Sequence, residues 1–126
     1  MEARLLLNSG VTQEKQGNYD EARSLIQQSL DINIGLNDKY SISACFDSLA
    51  LVISMTGEYY RAAQVMGAAE GLRDSIAVPI APLARSIYDR LTTHLMANLD
   101  ESAFAAARSE GREMPLERAI EHARSD

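Results

Sequence analysis

His94, His122 and Cys45 are the side chains best suited to hold a metal or attack a substrate, and they are the only histidines and the only cysteine in the sequence. A metal site on a helix wants a second ligand three or four residues from the first, where the two side chains share a face. Around His94 those positions hold Arg90, Leu91, Ala97 and Asn98, none of them a good ligand. Around His122 they hold Arg118, Ala119, Ser125 and Asp126, and the one candidate, Asp126, is the last residue, a position expected to fray. Cys45 falls in the most apolar segment, which favours a buried, inert thiol over a nucleophile. Asp20 with Glu21 and Glu117 with Glu121 fall at helix starts or on solvated faces, where negative charge suits the helix dipole. Gly67 and Gly71 flank Ala-Ala-Glu but follow no strand, so they read as packing glycines and not as a phosphate-binding loop. The sequence therefore predicts no catalytic, cofactor-binding or metal-binding residues, and no enzyme.

The elements that must carry any binding surface come next. A chain of 126 residues with 46% hydrophobic and 24% charged residues predicts one folded domain spanning residues 1–126. Its formal net charge of -6 repels phosphate backbones and anionic membranes, so no nucleic acid or membrane partner is expected. With a single cysteine and no leader pattern at its start, the chain is expected to be cytoplasmic. The weakly charged run from Tyr40 to Gly57 carries Asp47 near its middle and reads as a buried helix, not a membrane span.

Strand-like alternation is nearly absent, and apolar residues recur at spacings of three and four, so the fold class is all-α with about seven helices. The first helix runs from Glu2 to Gln16, interrupted by Asn8, Ser9 and Gly10. A second, Tyr19 to Leu36, turns Ala22, Leu25, Ile26, Ser29, Leu30 and Ile34 inward and is stopped by Asn37. The third, about Tyr40 to Thr56, is apolar around most of its circumference and needs neighbours on both sides. The fourth, about Tyr59 to Asp74, is lined with Ala62, Ala63, Gly67, Ala68 and Ala69, which admit a close helical neighbour. Two prolines force a linker over residues 75–82. The fifth helix follows from Leu83 to Leu99, a sixth is capped by Asp100 and ended by Gly111, and a short seventh starts at Pro115.

One phrase is stated twice. Gly17, Tyr19 and Ala22 in QGNYDEA recur 40 residues later as Gly57, Tyr59 and Ala62 in TGEYYRA. Such a period marks stacked units that cannot bury their apolar faces alone. It suits a HEAT or armadillo array as well as a lengthened tetratricopeptide repeat, and the residues inside it resemble the tetratricopeptide form. Phe46, Leu49, Ala50 and Ile53 fall where that repeat's first helix carries packing residues, and Met66 and Ala69 where its second does. In the first copy Leu6 and Gly10 fit those places, while Ser9 and Gln13 are polar. The resemblance implies an antiparallel helix-hairpin, right-handed solenoid, with repeat 1 at about 3–39, repeat 2 at about 40–74, and C-terminal helices over 83–126.

The stretches "RAAQVMGAAEGLRDSIAVPIAPLARSIYDRL" and "DESAFAAARSEGREMPLERAIEHA" resemble the closing segment of large bacterial regulators that join an ATPase core and a tetratricopeptide array to a LuxR-type or other output module. Arg108 stands where an aromatic residue is common there, and Pro115 replaces the usual polar cap. The resemblance implies a non-catalytic protein-interaction or sensory module for signal transduction or transcription regulation, binding a protein or peptide. Its groove would be lined by Arg4, Leu7, Val11, Glu14 and Lys15 from the first repeat, and by Ala44, Asp47, Leu51, Ser54 and Met55 from the second. The alternative for Leu7, Val11 and Leu51 is core or subunit interface. Met1 leads straight into helical sequence and the first repeat is degraded, which favours an excised piece able to form a homodimer through its first two helices. Two rival readings are an effector sensor, with a small molecule near Asp47 and Met55, and an enzyme, for which no convincing set of residues stands out.

Overall fold

The computed structural model describes residues 2–125, and among them it holds seven helices and no strand. In chain order these are α1 (Ala3–Lys15), α2 (Tyr19–Gly35), α3 (Lys39–Met55), α4 (Tyr59–Ser75), α5 (Pro82–Asn98), α6 (Glu101–Glu113) and α7 (Leu116–Arg124). The all-helical expectation holds, and none of the described helices is long and apolar enough to cross a membrane.

Three-residue turns join the first four helices, and each puts its middle residue in the left-handed region: Gly17 at φ 82°, Asn37 at 53° and Gly57 at 94°. The next residue then donates its N–H back to an orphan carbonyl of the helix just ended. Asn18 reaches Gln13 O at 2.9 Å, Asp38 reaches Asn33 O at 3.0 Å, and Glu58 reaches Ile53 O at 3.3 Å. Glycine adopts this conformation without steric cost, and asparagine is the next best residue for it. The repeated phrase thus encodes two copies of one turn, with Ala22 and Ala62 fully buried just beyond it. A fourth copy closes α4, where Val78 N–H reaches Arg73 O at 3.2 Å with Ala77 at φ 55°. Residues 76–81 then run without helix until Pro82 starts α5 in its first turn.

Burial explains the stacking. Asn8, Ser9 and Gly10 do not break α1, because Gly10 is where α2 comes close; a Cβ there would stand 2.6 Å from Ile26 Cγ1. Helix α3 runs through the centre with Phe46, Leu49, Val52 and Ile53 fully buried, each contributing roughly 1.5–3 kcal/mol of hydrophobic stabilisation. It is flanked by α2, α4 and α5, as its apolar circumference requires. Helix α4 packs closely on α3 along one side and on α6 along the other.

The α4–α6 contact depends on missing side chains. A Cβ on Gly67 would collide with the backbone of Arg108, and one on Gly111 with the backbone of Gln64. Gly111 therefore does not end α6, as the sequence predicts; it sits inside the helix, which continues to Glu113, because the backbone of α4 fills the space of its side chain. Asp100 caps α6 as expected, its Oδ1 accepting from Ala103 N–H at 2.7 Å. Arg108 holds Glu70 of α4 through bonds of 3.0 and 2.6 Å, so the unusual residue at that position ties the same two helices together.

Helix α6, and not α5, is the closely packed C-terminal neighbour of α4, and α5 makes its main contact elsewhere. It lies on α3 instead, on the side that α1 also borders.

Candidate functional site

Between α1, α3 and the start of α5 lies a groove of about 530 Å³. Six of the residues singled out from the sequence line it: Arg4, Leu7, Val11 and Lys15 from α1, and Ala44 and Asp47 from α3. Asn8 and Thr12 of α1, Tyr40 and Ser48 of α3, Ala81 of the linker, and Ala84, Ser86 and Ile87 of α5 complete its walls, whose exposed surface is mostly apolar although many of the side chains are polar. The hydroxyl of Tyr40 accepts the N–H of Ala81 at 3.0 Å, which fastens the linker at one end of the groove.

Four predicted residues do not line this groove: Glu14, Leu51, Ser54 and Met55. Glu14 is buried and accepts two bonds of 2.9 Å from Arg90 of α5. Leu51 is buried beside Ile87, also of α5. Ser54 is buried and its hydroxyl bonds Nδ1 of His94, a third residue of α5, whose ring also meets Tyr59 edge-on at 5.6 Å. Met55 is half-buried against the core. A single cause accounts for the first three: α5 covers the part of the α1–α3 surface that the sequence leaves open.

Asp47 is the acidic residue of the groove wall. Its side chain is 1% exposed, and Oδ2 accepts from Arg73 at 2.6 Å. Oδ1 has no hydrogen-bond partner, nor does the buried hydroxyl of Ser48, the next residue along the same groove. Burial raises the Asp47 carboxyl from its ordinary value to about 7; Arg73 opposes that rise and the negative charge of Glu70 adds to it. Glu70 is itself held by Arg108 of α6 and by the hydroxyl of Tyr88 of α5 at 2.8 Å.

The groups weighed for metal or nucleophilic chemistry lie elsewhere. Cys45 is fully buried; its thiol donates to Ser29 Oγ at 3.5 Å and is pushed up in pKa chiefly by burial. His122 bonds Gln64 Oε1 at 2.6 Å, and burial lowers its pKa. Asp126 lies outside the described residues. Among those described, no group of three His, Cys, Asp or Glu side chains is placed to hold a metal ion. Leu5 of α1, Ile32 of α2 and Leu36 of the turn after it are exposed, and Ile32 and Leu36 border a second hollow that shares Arg4, Leu7 and Ala44 with the groove.

Sequence reasoning missed Arg73, Ser48 and the α5 residues Ala84, Ile87, Arg90 and His94. The available signal was the apolar spacing Ile87, Leu91, Leu95, which shows that α5 must bury a face, though not on which neighbour. Comparison with protein-family models, with curated proteins and with solved structures found no match for this chain.

Proposed function

We propose that this chain is a non-catalytic sensory module of a signalling or transcription regulator, built as a tetratricopeptide-type right-handed solenoid, and that it binds a small organic effector in the α1–α3–α5 groove. The solenoid reading is supported by the two 40-residue-spaced Gly-x-Tyr-x-x-Ala turns and by the pairing of α1 with α2 and α3 with α4. The observation that carries the effector reading is the compact groove itself, bounded by α1, α3 and α5 and mostly apolar in surface, with Asp47 among its lining residues. A volume of about 530 Å³ suits a small molecule, for which sites of roughly 300–1,000 Å³ are usual. A peptide or partner helix, the reading drawn from the resemblance, fits less well, because α5 already lies on the α3 surface that such a helix would use. Self-association through α1 and α2 would cover Leu5, Ile32 and Leu36.

Thermal melting of the chain across a library of small metabolites tests this. Effectors should raise Tm of the wild type and lose their effect on Ala84→Trp, which fills the groove from α5. A library without hits, together with a peptide library that stabilises the chain, would overturn the effector reading.

A further inference from the structure

Along α1, Arg4, Asn8, Thr12 and Lys15 follow one another at helical spacings of three and four, so they share one stripe, and all of them are exposed. Leu7 and Val11 form the neighbouring stripe and are half-buried. Both stripes line the groove, which gives it an apolar floor and a polar rim along the same helix. The charges on that rim are positive, in a chain whose formal net charge is -6. Among the described residues Lys15 has no ion-pair partner, whereas Arg4 shares Glu2 at 3.6 Å. Resting on the effector reading above, we propose that the effector is an amphipathic monoanion, with its apolar body along Leu7 and Val11 and its carboxylate paired with Lys15.

The electrostatics set the sign of the ligand. Asp47 brings no net negative charge to the groove in either protonation state: ionised, it is balanced by Arg73 at 2.6 Å, and protonated, it is neutral. Glu14, the neighbour of Lys15 in the chain, is buried against Arg90 of α5. The exposed cations of α1 are then left to meet a ligand, and an ammonium group would face like charge. Arg4 and Lys15 stand about 16 Å apart along the axis, at a rise of roughly 1.5 Å per residue, so a single carboxylate reaches only one of them. The one without a protein partner is Lys15. A multiply charged anion finds no cluster of cations on this rim and is opposed by the net charge of the whole chain. From Lys15 the hydrocarbon part runs back along Val11 and Leu7, between Ala44 of α3 and Ala84 and Ile87 of α5.

The test uses three probes that share one hydrocarbon chain: octanoate, octylammonium and octanol. Each is titrated into the full chain labelled with ¹⁵N, and affinity is read from amide shifts of groove residues. Octanoate should bind about fivefold more tightly than octylammonium, the scale of one exposed ion pair, and the gap should close at high salt. Lys15→Met keeps an apolar stem on an exposed position; it should weaken octanoate about threefold and leave octanol unchanged, whereas Arg4→Met should have the smaller effect on octanoate. Lys15→Glu should reverse the order of the two charged probes. Equal affinity for octanoate and octylammonium, or tighter binding of octylammonium, would overturn the anion while leaving a groove that binds apolar molecules. A preference for octanoate that survives Lys15→Met and is lost in Arg4→Met would overturn the pairing with Lys15. If no probe moves a groove amide, or if Ala84→Trp leaves all three affinities intact, the groove reading falls together with the anion.

Discussion

Glu14 of α1 and Arg90 of α5, 76 residues apart, meet through two parallel hydrogen bonds of 2.9 Å. The pair is lopsided: the Glu14 side chain is 3% exposed and that of Arg90 37%. Removing the arginine strands a carboxylate in the interior, whereas neutralising the glutamate leaves an arginine that water can reach. Arg90→Ala should thus cost about 3 kcal/mol and Glu14→Gln about 1 kcal/mol in urea unfolding. Equal costs would mean that the pair is solvated throughout. Hydrogen exchange adds a spatial check: Arg90→Ala should speed exchange in α5 and leave α6 unchanged, because α6 is held by α4.

The α4–α6 crossing makes a steric prediction. A methyl group at Gly111 or Gly67 has only opposing backbone to displace, so either alanine variant should lower stability by about 3 kcal/mol or more. Gly35, at the end of α2, has nothing within 4 Å of the same added atom, and Gly35→Ala should be neutral or mildly stabilising. Comparable Tm losses at Gly35 and Gly111 would show that helix propensity, and not close approach, governs these sites.

Ala77 carries the opposite sign. It holds φ 55° in a turn whose other three copies use glycine or asparagine. The left-handed region costs an alanine roughly 1–2 kcal/mol, of which glycine's greater freedom in the unfolded chain returns a part. Ala77→Gly should therefore stabilise the domain by about 0.5–1 kcal/mol. A loss of stability in chemical denaturation would mean that the methyl group makes a packing contact outweighing the strain.

Local rules reached far in this sequence. The helices are legible because the stop residues Gly17, Asn37 and Gly57 and the capping Asp100 act through their own backbone or their nearest neighbours. Gly111 misleads for the reason that Gly17 informs: the same residue type serves a left-handed turn in one place and a helix crossing in the other. The groove was legible only on the faces that α1 and α3 present. That α5 covers Glu14 and Ser54 rests on partners far along the chain, Arg90 at 76 residues and His94 at 40, and no local window contains them. Arg73 was hidden similarly, because its partner Asp47 lies 26 residues away on a helix that otherwise reads as apolar.

Asp47 makes stability depend on pH in a direction unusual for a carboxylate. Its pKa is raised by burial from 3.8 to about 7 in the folded chain, so between those values the folded state binds more protons than the unfolded state. Stability from this group is therefore greatest below the unfolded pKa, declines as pH rises through the window, and levels off above about 7. His122 acts in the opposite sense, since burial lowers its pKa and the unfolded chain takes up the extra proton as pH falls. The two contributions overlap near neutrality, and the wild-type curve alone mixes them. Subtracting the unfolding free energy of Asp47→Asn from that of the wild type at each pH isolates the carboxylate. The difference should shift against the wild type as pH rises from about 4 to about 7, and then stay flat. A difference that moves the other way would place the Asp47 carboxyl below its ordinary range, held there by Arg73, and would make the groove floor a fully ionised pair at every pH at which the protein folds.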